Sequence, residues 1–153
     1  MPRPGSRQSA VRFSVRGWPA LMLLLLAAAP ANNRPSNDRM DAPLTAQPGD
    51  PENGRRVVLD RALSACLLCH AGPFPAPHLQ GTIGPNLDGV GNRLDAAQIR
   101  LRLVDPARAN PDSVMPGYYV TEGRNRVGQP WRGKTILTAA QIEDVVAYLT
   151  GLR

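Results

Sequence analysis

Cys66-Leu67-Leu68-Cys69-His70 holds both cysteines of the chain and one of its two histidines. Cys-x-x-Cys-His is the pattern of covalent haem c attachment. Each thiol adds to one vinyl group of the porphyrin, so two sulfurs must span one edge of the macrocycle. Two intervening residues let a single helical turn present both. The histidine that follows the second cysteine then supplies an imidazole nitrogen to the iron as fifth ligand. The motif therefore predicts one haem c, held through Cys66 and Cys69 with His70 on the metal, and so a redox protein.

Other chemistries of a cysteine pair fit less well. A thioredoxin-like dithiol requires a βαβ setting. This chain lacks strand-like alternation and long β-branched runs, and a dithiol leaves His70 without a role. A zinc site needs four ligands, usually as two separated pairs, and His78 alone does not complete one. A disulfide between residues three apart closes too short a loop to stabilise much.

The other face of the iron needs a decision. Of the four methionines, Met1 and Met22 precede the mature chain and Met40 lies N-terminal to the attachment site. Met115 stands in Val114-Met115-Pro116, 45 residues after His70. That distance lets an intervening helix pass and the chain return over the ring. The ordinary use of methionine is packing. Beside haem the favoured reading is Met115 as sixth ligand, a soft sulfur that raises the reduction potential and suits electron transfer. The alternatives are His78, which lies only eight residues after His70 and needs a tight loop across the haem edge, and an open sixth position. His70 also needs its second ring nitrogen satisfied. Gly84-Pro85-Asn86-Leu87 is the candidate, with the carbonyl of Pro85 facing the imidazole.

The elements that must position these groups are helices. Asp50-Pro51-Glu52 opens the first, with Asp50 as N-cap and Pro51 at the first helical position. It carries Val57, Val58, Leu59, Ala62 and Leu63 and runs into the attachment site. Gly54 is unfavourable inside a helix by ~1 kcal/mol relative to alanine, which predicts close approach of another helix there. Residues 73–85 form a Pro- and Gly-rich loop. A second helix begins at Leu94 or Asp95, places Ile99 and Leu103 on one face, and ends near Asp105-Pro106. A long loop from Ala107 to Gly133 follows, and loops of that length are usually functional. Thr138-Ala139-Ala140-Gln141 is a capping box. Ile142, Val145, Val146 and Leu149 then form an amphipathic stripe that ends at Gly151. This last helix is expected to pack on the first, with Tyr148 and Leu149 near Gly54 and Val57. The predicted fold class is all-α, three or more helices around the haem.

The N-terminal region has the pattern of an export signal. Arg3, Arg7, Arg12 and Arg16 precede an apolar run from Trp18 to Ala29, and Ala29-Pro30-Ala31 offers a cleavage site after Ala31. The alternative is a retained anchor, for which the run is short of the ~20 residues a span needs. Expected organisation is thus a signal at 1–31, a polar linker or surface extension at 32–49, and one domain at 50–153. The localisation is expected to be periplasmic, with no stable membrane insertion after cleavage. The full chain carries 18 basic and 12 acidic residues, a net charge of +6. Four of the basic residues lie in the signal, leaving fourteen against twelve and a net of +2. That balance, with no aromatic stacking platform, argues against nucleic acid. About 120 mature residues suit one domain. Aromatic residues are few, so the apoprotein is expected to fold poorly without the haem. Arg124, Arg126, Arg132 and Lys134 form a candidate basic docking patch, with an ordinary solvated surface as the equal alternative.

Across residues 50–153 this arrangement resembles class I cytochrome c. More narrowly it is similar to the SoxX family, the monohaem subunits of the bacterial thiosulfate-oxidising cytochrome pair. The resemblance is carried by Ile83-Gly84-Pro85-Asn86-Leu87-Asp88-Gly89-Val90-Gly91, by Val104-Asp105-Pro106 with Asn110-Pro111-Asp112-Ser113-Val114-Met115-Pro116, and by Gly133-Lys134-Thr135-Ile136-Leu137-Thr138 leading into Glu143-Asp144-Val145-Val146-Ala147-Tyr148-Leu149. It implies a periplasmic complex with a SoxA-type cytochrome that joins thiosulfate to a cysteine of a SoxYZ-type carrier protein. Electrons would pass on to a small cytochrome c. In that family the reactive cysteine ligand belongs to the partner. The residues here agree: both cysteines are consumed as thioethers, no acid–base pair is evident, and no catalytic residue is assigned. The competing function is a free soluble cytochrome c that carries electrons to a terminal oxidase.

Overall fold

Asp50 accepts a hydrogen bond from the Glu52 amide at 2.8 Å and, with Pro51 in the first turn, starts helix α1, Pro51–Leu59. The helix stops earlier than its apolar pattern predicts. The Asp60 carboxylate accepts from the amides of Ala62 and Leu63, at 2.9 and 3.0 Å, and the competing local bonds turn the chain out of the helix. Ala65 then adopts a left-handed backbone, φ 56°, immediately before α2, Cys66–Cys69. Two further short helices, α3 (Val90–Arg93) and α5 (Pro106–Ala109), flank α4, Ala96–Val104. The expected capping box opens α6, Ala139–Gly151: the Thr138 hydroxyl accepts from Gln141 N, and Gln141 Oε1 accepts from Thr138 N. Asp95 and Gln98 form the same device at the start of α4.

This computed structural model describes residues 38–123 and 127–153. The export signal, the first part of the linker, and Arg124 and Arg126 of the candidate patch lie outside the described residues. Among the described residues every regular element is helical, no strand is present, and no helix is long and apolar enough to cross a membrane. The described residues fall within one compact unit.

The core lies where α6 crosses α1 and α4. Ile142, Val145, Val146 and Leu149 face Val57, Val58, Ile99 and Leu103, all buried. Gly54 accounts for the closeness of α1 and α6. A methyl group placed there would lie 2.0 Å from the Asp144 carbonyl oxygen and 2.9 Å from Tyr148 Cβ. Gly54→Ala gains ~1 kcal/mol of helix propensity, but it must force two backbones apart, and overpacking of that kind costs about 1–3 kcal/mol or more. The variant is expected to melt several degrees lower. Gly151→Ala, where nothing lies within 4 Å, serves as its control and is expected to be neutral or slightly stabilising.

Residues 38–49 lie on the surface as a strap, bent at residues 42 and 44–47. The Met40 amide donates to the Ala97 carbonyl at 2.9 Å. Its carbonyl accepts from Arg100 Nη1 at 2.9 Å, and the Leu44 amide donates to Glu143 Oε1 at 2.9 Å. Arg100 and Glu143 pair bidentately, Nε–Oε1 2.7 Å and Nη2–Oε2 2.8 Å, with both side chains more than nine-tenths buried. The next residue, Asp144, accepts from the Asp50 amide and from Asn53 Nδ2. Neighbouring carboxylates of the last helix thus hold the first segments of the domain.

Candidate haem attachment site

A single turn, α2, carries Cys66 and Cys69 three residues apart, both half-buried and both free thiols. Residues at that interval share one helix face. Leu67, between them, is buried and anchors the turn to the core, while Leu68 is exposed. The His70 amide donates to the Cys66 carbonyl at 3.0 Å, which ends the helix and leaves His70 in an extended backbone just beyond it.

Loop 81–87 is laced to this turn. The amides of Gly81, Gly84 and Leu87 donate to the carbonyls of Leu67, Cys69 and Ala71 at 2.8–2.9 Å. That lacing brings Pro85 to His70. Its carbonyl oxygen lies 2.7 Å from His70 Nδ1, so Nδ1 carries the proton and Nε2 is left with its lone pair for a metal. Arg93 supports the carrier loop by donating to the carbonyls of Asn86 and Asp88. Gly84 is the second element of the seat. A Cβ there would fall 2.3 Å from His70 Cε1 and 2.8 Å from Nε2, so only glycine lets the ring lie flat against the loop. The sequence pointed to the proline carbonyl and missed this role of the glycine beside it.

Met115 is half-buried against the core margin, and its amide donates to Ser113 Oγ at 3.3 Å. Its loop is fixed at both ends. On one side the Asn110 amide closes α5 on the Pro106 carbonyl. On the other the Tyr118 amide donates to Leu103 O at 2.8 Å, and the Tyr118 carbonyl accepts from Ile136 and Leu137. His78, the rival ligand, sits exposed in a short 3-10 turn, Pro77–Leu79. Arg132 and Lys134 of the candidate patch are exposed beyond a second such turn, Gln129–Trp131.

Tyr118 is buried against the attachment turn. Its hydroxyl donates to the Ser64 carbonyl and lies 3.9 Å from Cys66 Sγ. Burial, first, and then the adjacent cysteines push the phenol well above its ordinary range. Burial also pushes the Cys66 thiol above its ordinary range. Sequence patterning gave no sign of this contact, since the partners are 54 residues apart. The only local hint is a tyrosine placed directly after Pro116-Gly117.

These residues fit a covalent haem. Two thiols stand on one helical turn, and an imidazole has its outer nitrogen fixed and its inner one available. A glycine leaves room along that ring. Large apolar side chains, Ile83 at 73% and Val114 at 84% exposed, border Gly84 and Met115 in the sequence, as suits an apolar macrocycle. Among the described residues no group of three or more His, Cys, Asp or Glu is placed to hold a metal ion by itself.

No protein-family model matches the chain. No curated protein matches it either. A solved structure does: the crystal structure of SoxXA from P. pantotrophus. The matched chain is 39% identical and superposes with a TM-score of 0.68, over 76% of this chain and 90% of that one.

Proposed function

Because this chain belongs to the SoxX family, with an all-α cytochrome c fold, we propose that it is the electron-relay subunit of a thiosulfate-oxidising cytochrome pair in the periplasm. The match to SoxXA across nine-tenths of the matched chain carries this reading. The partner is a SoxA-type cytochrome, and the pair acts on a SoxYZ-type carrier protein.

One haem c, when bound, supplies a one-electron redox couple. Cys66 and Cys69 would hold it through thioethers, and His70 Nε2 and the Met115 sulfur would be the protein's donors to its iron. Pro85 keeps the proton on Nδ1 and the imidazole in one orientation, which raises its donor strength. Gly84 keeps the ring flat against the loop. A thioether donor from Met115 would favour the ferrous state and suit electron transfer.

The reaction defines what this chain leaves to others. Joining a cysteine thiol to the outer sulfur of thiosulfate forms one S–S bond and releases one proton and two electrons. With both cysteines held as thioethers, this chain offers no thiol to carry the sulfur. It accepts electrons singly and passes them to a small cytochrome c.

Co-expression with a SoxA-type cytochrome tests the assignment. The expected result is a stable heterodimer with haem in both chains that conjugates thiosulfate to the carrier, while this subunit alone does not. A clean monomer that reduces a terminal oxidase would overturn it. Met115→Ala tests the distal ligand. The ferric thioether–iron absorbance is expected to vanish, the reduction potential to fall, and imidazole affinity to rise by at least about tenfold, or ~1.4 kcal/mol.

A further inference from the structure

Tyr118 is 4% exposed and holds none of the ligand roles assigned above. Its amide and carbonyl tie it to α4 and to residues 136–137, while its hydroxyl reaches the Ser64 carbonyl. Ser64 is itself rigidly held. It is buried, its amide donates to Asp60 O at 3.0 Å, and its hydroxyl donates to Val57 O at 2.7 Å. The left-handed Ala65 and then Cys66 follow directly.

We infer that Tyr118 is a positioning residue whose hydroxyl, bonded to the residue two before Cys66, sets the separation between the thioether staple and the loop that carries Met115. The inference rests on the ligand set of the proposed function. The staple decides where the iron sits, and the loop, anchored at Tyr118 three residues after Met115, decides where the sulfur sits. A metal ligand must be held to within about 0.5 Å of its productive place. The phenol bond is a direct link between the two frames. Because its acceptor is a backbone carbonyl, which takes no proton, Tyr118 acts by geometry and stays neutral.

Tyr118→Phe in the holoprotein keeps the ring and removes only the hydroxyl. Imidazole is expected to bind the ferric form about five- to tenfold tighter, the factor carried by one buried hydrogen bond, with a weaker thioether–iron band. Thr138→Ala, which removes the α6 cap, is expected to lower the melting temperature without moving imidazole affinity. Coupling is reciprocal. In the unaltered protein, saturating imidazole is therefore expected to speed hydrogen exchange of the Ser64 and Leu68 amides, which bond Asp60 O and Ala65 O, by a similar factor. A normal band in the unaltered protein with unchanged imidazole affinity in Tyr118→Phe overturns this inference alone. Absence of the band in the unaltered protein overturns the Met115 assignment and this inference together. Should Tyr118→Phe yield no holoprotein, the exchange measurement decides, and amide exchange indifferent to imidazole overturns the inference.

Discussion

Replacing Cys66 and Cys69 together with serine is expected to eliminate haem retention by the denatured chain. Acid–organic extraction should leave the visible absorbance with the unaltered polypeptide and move it wholly into the organic phase for the double variant. Serine keeps the shape of the α2 turn and the bond from His70 N to the residue-66 carbonyl, but an alcohol does not form the thioether. Single replacements are expected to keep one link and hence one unreacted vinyl group, shifting the reduced absorbance band to longer wavelength. His70 would still meet Pro85 in every case, because that contact is built by the loop bonds to Leu67, Cys69 and Ala71 backbone. Absorbance that stays with the double-serine chain after extraction would refute the attachment assignment and the redox function built on it.

Arg100→Met is expected to be the most destabilising single change outside the attachment site. It leaves Glu143 buried without its partner, and breaking a buried pair in that way costs about 3–5 kcal/mol. The Met40 carbonyl loses its donor as well. Replacing both residues, Arg100→Met with Glu143→Leu, is expected to recover most of the loss, since a packed apolar pair avoids the desolvation of two charges. The pH dependence separates the variants. Burial pushes the Glu143 carboxyl up, but the hydrogen bonds from Arg100 and from the Leu44 amide, with the Arg100 charge, outweigh it and hold it below the usual carboxylate range. Its contribution is therefore fully present above the unfolded carboxylate pKa of about 4.3 and is lost as pH falls through the lower folded value. In Arg100→Met the unpaired carboxyl should move the other way, so that acidification relieves part of the defect. Urea midpoints measured from neutral to acid pH check both signs.

Local signals in the chain were legible. Asp50, Asp95 and Thr138 cap the three longest described helices where their chemistry requires. The stripe from Ile142 to Leu149 is buried, and Gly54 lies against α6. The misses have physical causes. The apolar run through Leu63 extends past the helix end, because periodicity does not report the competing bonds to the Asp60 side chain. Helices α3 and α5 have four residues each, too short for a period to show. The polar, Pro-rich stretch before Asp50 reads as a linker or a surface extension; residues 38–49 lie on the surface with their backbone bonded to Arg100 and Glu143, 60 and 99 residues away from their strap partners, a distance over which composition does not report pairing. At the site, the motif named Cys66, Cys69 and His70, and the Gly-Pro segment named Pro85. Tyr118 escaped notice because its partners are distant in the chain and its neighbours carry no repeating pattern.

The clasp of residues 44, 50 and 53 by Glu143 and Asp144 has a bearing on the order of biogenesis. A nascent chain emerges amino end first, and its early segments find their binding groups only in the final thirteen-residue helix. Closure of the domain therefore waits for the carboxyl end. Throughout that interval the turn that carries residues 66 and 69 has no finished core to pack on. Long-range closure of this kind slows folding, and it would leave the proposed attachment residues open until the last helix is made.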